Sequence, residues 1–106
     1  MESKPVTKAI SFSEEKMKKN SLFDSPYLFY DAYCLTPGQH QKIHAHESSD
    51  KVYFVLEGTG RFTIGDEEQD LPEGHAVIAR AGVPHGVRNA SDENLVLLVT
   101  MAPRPS

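Results

Sequence analysis

Short apolar runs alternate with turn-forming residues over most of the chain. The runs are rich in valine, leucine, isoleucine and aromatic residues, and glycine, proline, aspartate and asparagine separate them. This pattern is typical of β-strands. It predicts seven of them, at residues 27–35, 40–46, 51–57, 60–65, 76–80, 85–90 and 94–101. No segment is suited to a long crossover helix, so the sequence predicts an all-β sandwich or barrel.

Two glycine-containing turns lie between predicted strands. Glu57-Gly-Thr-Gly-Arg61 has two glycines able to adopt the positive φ angles of a tight hairpin. Gly65-Asp-Glu-Glu68 is a second turn of similar kind. Each is therefore predicted to join two paired strands.

Two of the predicted strands are apolar at every position. They are Val52–Leu56 and Leu95–Val99. A strand with one wet face would alternate between apolar and polar residues, so both faces of these strands must be covered. One face fills the barrel, and the other requires a second sheet or a second subunit. We therefore expect a homodimer, the simplest closed assembly.

The whole chain of 106 residues fits a single domain. We divide it into an N-terminal arm at residues 1–25, a barrel at 26–101 and an unpaired tail at 102–106. Within the arm, acidic residues follow Ser13 and lysines come next, up to Lys19. This order predicts a short helical turn capped by Ser13.

Composition and charge exclude several classes of partner. The net charge of -4 lacks the basic surplus on which nucleic-acid binding depends. No apolar run approaches the roughly 20 residues needed to cross a membrane, and the first residues lack a secretory signal. We therefore expect a cytoplasmic protein that binds neither nucleic acid nor membrane. Its one cysteine, Cys34, lies in an apolar segment and is expected to be buried and inert.

Histidines supply the candidate chemistry. His44 and His46 are two residues apart in a segment predicted to be extended, so both imidazoles point to one face and can reach one metal ion. Further ligands must come from elsewhere. His85 is a candidate because Pro84 restrains the backbone that leads into it.

The spacing of these histidines, glycines and prolines resembles the two motifs of the cupin superfamily. The matching segments are Gly38 with His44-Ala-His46 after five intervening residues, Tyr53-Phe-Val-Leu-Glu-Gly58, Pro72-Glu-Gly74 and Ala81-Gly-Val-Pro-His85-Gly-Val-Arg-Asn89. The resemblance implies a double-stranded β-helix, or jelly-roll, barrel that holds a small molecule. It also implies that His44, His46 and His85 bind a divalent transition metal.

One ligand of the family pattern is replaced. Cupins that bind metal also use a glutamate from the first motif, and Lys51 stands at its position, with Asp50 just before it. Strand alternation predicts that Lys51 points into the barrel and Asp50 away from it. An ammonium about 5 Å from a dication, at an effective dielectric constant of about 20, is repelled by roughly 6 to 7 kcal/mol. Either the ammonium turns to the mouth, or its pKa falls, or metal binding is weak or absent.

A site of three histidines remains chemically reasonable, because imidazoles suit Zn, Fe, Ni, Mn and Cu. His40 offers a further nitrogen if its strand is regular as far as His46, although a location at the strand end is the alternative. Lys51 and Tyr53 share the inward face and are the candidate catalytic residues. His75, in a turn, is expected to be exposed. Asn89 is expected to stabilise a turn.

Three functions are compatible with these residues. The first is a metal-dependent enzyme of the dioxygenase, isomerase or lyase type, in which Lys51 acts as an acid or base or anchors an anionic substrate. The second is a binding or sensing module without turnover, which the missing glutamate favours. The third is a metal-free pocket in which Lys51 acts as a base or forms a Schiff base with a carbonyl compound. The fold does not separate these chemistries.

Overall fold

The computed structural model describes residues 1–105, which form two facing antiparallel sheets. In the five-stranded sheet the spatial order is β1 (Lys18–Asp24), β2 (Phe29–Leu35), β9 (Leu95–Ala102), β4 (Asp50–Glu57) and β7 (Ala76–Ala79). In the four-stranded sheet it is β3 (His40–His44), β8 (His85–Arg88), β5 (Thr59–Ile64) and β6 (Glu67–Pro72). The predicted all-β jelly-roll barrel is confirmed.

Alternate residues of the central strands fill the space between the sheets. The buried core consists of Tyr33, Leu35, Tyr53, Val55, Phe62, Val87, Leu95, Leu97 and Val99. All seven predicted strands are present within one to two residues of their expected bounds. The sequence did not predict β1 and β6, which lie at sheet edges and are mostly polar. Edge strands pair on one side only, so they need no continuous apolar face.

The N-terminal helical turn exists, but at a different place from the one predicted. A four-residue 3-10 helix spans Val6–Ala9, whereas the segment after Ser13 is not helical. Lys18 and Lys19 instead begin β1 and pair with Cys34 and Tyr33 of β2. Pairing with a sheet edge satisfies backbone groups that an isolated short helix would leave partly exposed, so tertiary context overrides the local capping signal.

The arm also covers part of the outer face of the five-stranded sheet. A second apolar cluster is formed by Ala9, Leu22, Ala32, Cys34 and Val96, with Val6, Ile10 and Phe12 packed against it. The side-chain amide of Asn20 donates to the backbone oxygen of Ala9 at 2.9 Å and so fixes the arm to β1. The apolar outer face of β9 is thus covered partly by the chain itself. Cys34 is buried there, as expected.

Only one of the two predicted hairpins forms. Gly65 and Asp66 connect β5 to β6, which pair from Ile64 and Glu67 onward. In contrast, β4 and β5 lie in different sheets, so the turn at Gly58 is a crossing between sheets rather than a hairpin. Gly58 does adopt the expected positive φ, of 83°. A glycine turn signals a change of direction, and the partner of the next strand is decided by the whole barrel.

The C-terminal segment is bonded rather than unpaired. Strand β9 continues through Ala102. The backbone N–H of Arg104 donates to the Tyr27 oxygen at 2.9 Å, and its guanidinium Nε donates to Asp24 at 2.7 Å. Ser106, the last residue of the predicted tail, lies outside the described residues. Within residues 1–105, no helix has the length and apolar character required to cross a membrane.

Candidate metal centre

The structure brings three imidazoles together at one end of the barrel. His44 ends β3, His85 begins β8, and the two are direct cross-strand partners. His46 lies two residues after His44 in the following loop. The candidate ligand nitrogens of the three all lie within 4.8 Å of one another. The backbone N–H of Gly82 donates to the His46 oxygen at 2.7 Å, which ties the loop before His85 to the loop that carries His46.

Backbone carbonyl groups fix the tautomer of two of these rings. The Nδ1 atom of His85 lies 2.9 Å from the Val83 oxygen, and that of His44 lies 2.7 Å from the Lys42 oxygen. Because a carbonyl oxygen only accepts hydrogen bonds, each Nδ1 carries a proton, and in the neutral ring the lone pair is therefore on Nε2. The Nε2 of His85 is buried and has no hydrogen-bond partner among the described residues.

The environment favours the neutral form of two of the rings. Desolvation lowers the pKa of His85, and the positive charge of Lys51 contributes in the same direction against the opposing effect of the Val83 hydrogen bond. Desolvation also lowers the pKa of His46, with a further contribution from His44. Neutral imidazole is the form that binds metal, so both rings are prepared for ligation at neutral pH.

His40 is separated from this group by a bulge in β3. The pairs Gln41–Val87 and His44–His85 leave one extra residue on β3 between them. A single inserted residue reverses the alternation of side chains. His40 is consequently exposed, and it does not belong to the cluster of ligand nitrogens. The regular strand that a fourth ligand at His40 requires is not formed.

Lys51 points into the barrel, and Asp50 points away from it, as expected. The Lys51 side chain is 1% exposed, whereas Asp50 is exposed and accepts a hydrogen bond from the Ala81 N–H at 2.8 Å. The Lys51 ammonium lies 5.1 Å and 5.2 Å from the ring centres of Tyr33 and Tyr53. It therefore stays inside rather than turning to the mouth.

Burial changes the protonation of that amine. Desolvation lowers the pKa of Lys51 to about 7, with a smaller lowering by Lys19 and a partial opposite effect from Asp31. Of the three outcomes expected for a lysine at this position, the structure supports the fall in pKa. A neutral amine does not repel a nearby cation as an ammonium does.

Gln41 organises this part of the barrel, and the sequence did not identify it. Its Oε1 atom accepts a hydrogen bond from the Tyr53 hydroxyl at 2.8 Å and one from the Lys51 Nζ at 3.3 Å. Strand alternation counted back from His44 would have directed Gln41 outward, but the bulge directs it inward. Desolvation raises the pKa of Tyr53, so its phenol stays protonated and donates to Gln41.

Two other polar residues have the locations expected from the sequence. His75 is exposed in the turn before β7, away from the cluster. Asn89 is fully buried, and its amide donates to the backbone oxygens of Leu35 at 3.0 Å and Glu93 at 2.7 Å. Asn89 therefore links two loops and takes a structural role.

Known proteins with similar structures cover nearly the whole chain. The TT1209 protein of Thermus thermophilus is 50% identical in sequence and superposes with a TM-score of 0.96, covering 99% of this chain and 100% of that one. An RmlC-like cupin protein from Desulfovibrio desulfuricans is 29% identical, with a TM-score of 0.84 and 98% of each chain covered. The fold of this chain is thus the fold of a cupin protein.

Sequence comparison gives the same family. The protein SCO3923 of Streptomyces coelicolor is 37% identical over 73 residues, which are 67% of each chain. A match to a second relative covers only 53% of that protein's length. The family model described as Cupin domain matches residues 32–101, which contain the three histidines and most of both sheets. This chain therefore belongs to the cupin family.

Proposed function

We propose that this cupin holds a divalent transition metal on His44, His46 and His85 and acts on a small molecule bound beside it. The observation that carries the proposal is the Nε2 atom of His85. A buried acceptor without a partner costs roughly 1 to 3 kcal/mol, so a fold retains one where it has a use for the lone pair. The Nε2 of His85 has no partner among the described residues and lies beside two other imidazoles.

The donor set fits a metal ion. Two nitrogens bound to the same tetrahedral ion lie about 3.4 Å apart, since each metal–nitrogen bond is about 2.0 to 2.1 Å. The three nitrogens lie within 4.8 Å, so small rotations of the rings close the remaining distance. Imidazole ligands suit Zn, Fe, Ni, Mn and Cu and do not select one of them. Such an ion supplies Lewis acidity or O2 activation, as dioxygenases, isomerases and lyases require.

The chain's own residues provide the remaining functions. The carbonyl groups of Lys42 and Val83 orient His44 and His85 through their Nδ1 atoms, which is the usual way to fix a ligating imidazole. Lys51, with a pKa of about 7, can accept or donate a proton at Nζ near neutral pH. Gln41 accepts a hydrogen bond from that Nζ and restrains its position.

Metal content of protein purified without an affinity tag tests the proposal. We expect the native protein to contain a transition metal, at up to one ion per chain. The His85→Ala variant should retain at least about tenfold less metal, because it lacks one of the three ligands. His75→Ala is the matched control, since His75 is an exposed histidine away from the cluster, and it should retain the native amount. Metal absent from the native protein would overturn the proposal.

The Lys51→Glu variant provides a second, opposite test. Glutamate removes the amine and restores the carboxylate ligand that the family pattern has at this position. We expect slower loss of metal to a chelator than in the native protein. Equal loss rates would show that position 51 does not reach the ion.

A binding or sensing module without turnover is the second candidate. Lys51 favours this candidate, because it replaces the glutamate ligand of the family pattern and the site lacks that negative charge. Native protein that retains metal but shows neither O2 consumption nor conversion of small-molecule substrates would support this candidate over the enzyme.

We also propose that the chain forms a homodimer through the outer face of β4. Val52 is 38% exposed, and its neighbours across the strands are Ile78 of β7 and Thr100 of β9. Phe54, on the same face, lies between Ala76 and Leu98. The apolar cluster in which the N-terminal arm packs contains Val96 and Leu98 but neither Val52 nor Phe54. A second subunit would bury this apolar strip.

A further inference from the structure

A large cavity opens beside the candidate metal centre and is lined by positively charged residues. Its volume is about 910 Å³, and His44, His46 and Lys51 lie in its wall. The other charged residues that line it are Lys16, Lys18, Lys19 and Lys42. No aspartate or glutamate of the described chain lines it. Five lysines thus surround one cavity in a chain whose net charge is -4.

The innermost of these lysines, Lys51, forms no ion pair among residues 1–105, and the carboxylate of Asp31 acts on it only through longer-range attraction. The two ion pairs found in residues 1–105 join Arg61 to Asp70 and Arg104 to Asp24, and neither involves Lys51. An ammonium has three donors, and one hydrogen bond to Gln41, at 3.3 Å, accounts for one of them. An anion that accepts hydrogen bonds from the free donors favours the protonated form of this buried amine and is bound by it.

The same cavity has an extensive apolar wall. Its members are Met17, Phe29, Tyr33, Met101 and Pro105. An inorganic anion would leave these side chains in contact with water. A ligand with an apolar body would cover them and gain about 25 cal/mol for each Å² of apolar surface removed from water.

We propose that the cavity binds an organic carboxylate with an apolar aromatic or aliphatic body, the carboxylate on Lys51 and the body against Met17, Phe29 and Met101. This assignment rests on the proposed function, because the ligand and the metal ion would share one cavity. A carboxylate fits better than a phosphate group, because only one ammonium is buried here and no arginine lines the cavity. Lys16, Lys18 and Lys19 also line the cavity and are less buried than Lys51, and we call them the entrance lysines. Their positive charge attracts the anion before it docks.

Binding of matched probes tests the inference. Phenylacetate and its neutral analogue phenylacetamide have nearly the same shape and differ in charge. We expect the native protein to bind the acid at least about tenfold more tightly, as measured by calorimetry on metal-loaded and metal-free samples. Lys51→Met should remove this preference while the thermal unfolding curve confirms that the variant is folded. Lys8→Met, at an exposed lysine that does not line this cavity, is the control and should keep it.

Each result decides between named alternatives. Equal binding of acid and amide to the native protein would overturn the inference even if the metal content is stoichiometric. A preference that survives in Lys51→Met and requires metal would assign the carboxylate to the ion, which also overturns it. A preference that the native protein keeps without metal and loses in Lys51→Met would support the anion site whether or not the metal-dependent function holds.

The entrance lysines have a separate, kinetic signature. In a variant with Lys16, Lys18 and Lys19 changed to glutamine, the association rate of phenylacetate should fall severalfold and depend less on salt, since Lys42 and Lys51 remain. The preference for acid over amide at equilibrium should remain, since Lys51 is intact. An unchanged association rate would overturn the steering role of these residues.

Discussion

The amine of Lys51 is buried between two tyrosine rings, where most proteins place apolar atoms. Its pKa of about 7 lies well below the 10.5 of a solvated lysine because desolvation disfavours the charged form. This difference corresponds to roughly 5 kcal/mol at most. Such a cost is a large part of the stability of a small domain, so we expect the position to serve the site rather than the fold.

The cost should depend on pH in a defined way. Since the folded pKa lies below the unfolded one, the unfolded chain binds more protons between about pH 7 and 10.5, and stability rises with pH over this window. Below about pH 7 the penalty is fully present, and above 10.5 it vanishes. We expect Lys51→Met to be more stable than the native protein at pH 7 and this advantage to shrink by roughly 2 kcal/mol by pH 9.

Urea unfolding of both proteins at a series of pH values measures the difference directly. Lys8→Met, which replaces an exposed lysine of the 3-10 helix, is the matched control. A constant difference between Lys51→Met and the native protein would mean that the amine is not desolvated.

Individual strands and their connections determine how the site is assembled. The bulge in β3 turns Gln41 inward and still places His44 opposite His85. The crossing from β4 to β5 depends on Gly58, whose φ is 83° and whose backbone N–H donates to Glu73 at 3.1 Å. A Cβ atom at this position would overlap the backbone oxygen of Asn94. This crossing therefore admits only glycine.

Two glycines with the same backbone conformation give a matched comparison. Gly74 has a φ of 86°, and a Cβ atom there would meet nothing within 4 Å. Gly74→Ala should cost roughly 1 to 2 kcal/mol, the usual strain of a side chain in the left-handed region. Gly58→Ala should cost at least about 2 kcal/mol more, because the backbone must also move away from Asn94. Equal losses in thermal unfolding would contradict the close approach.

Among residues 1–105, the outer residues Val52 and Phe54 of β4 form an apolar strip outside the cluster in which the arm packs. The arm covers part of the outer face of β9, including Val96 and Leu98. The exposed outer residues of β4 therefore need a partner that the single chain does not provide, which is the physical basis of the proposed dimer.

Light scattering after size exclusion tests the dimer. We expect a mass about twice the 11.8 kDa of the chain and a shift to the monomer in Val52→Glu, since a charge cannot be buried in an apolar interface. Ile43→Glu changes an apolar residue that is 55% exposed on the other sheet, so it should leave the mass unchanged. A monomeric native protein would rule out the dimer.

Local patterns in the sequence determined the strands and the family. Short apolar runs bounded by turn residues, such as Val52–Leu56, indicate buried strands, and this signal acts over a few residues. The motif spacing around His44, His46 and His85 located the candidate ligands for the same reason. The polar edge strands β1 and β6 carry no such signal, although each pairs with the strand next to it in sequence.

Tertiary structure alone decided the details on which the chemistry depends. The extra residue in β3 is defined only by pairing with β8, so neither the exposure of His40 nor the inward direction of Gln41 could follow from strand alternation. The protonation of Lys51 depends on how completely distant segments exclude water from it. The sequence by itself determined which residues are present and which strands carry them. Desolvation and register, which arise only when those strands pair, decided what the residues can do.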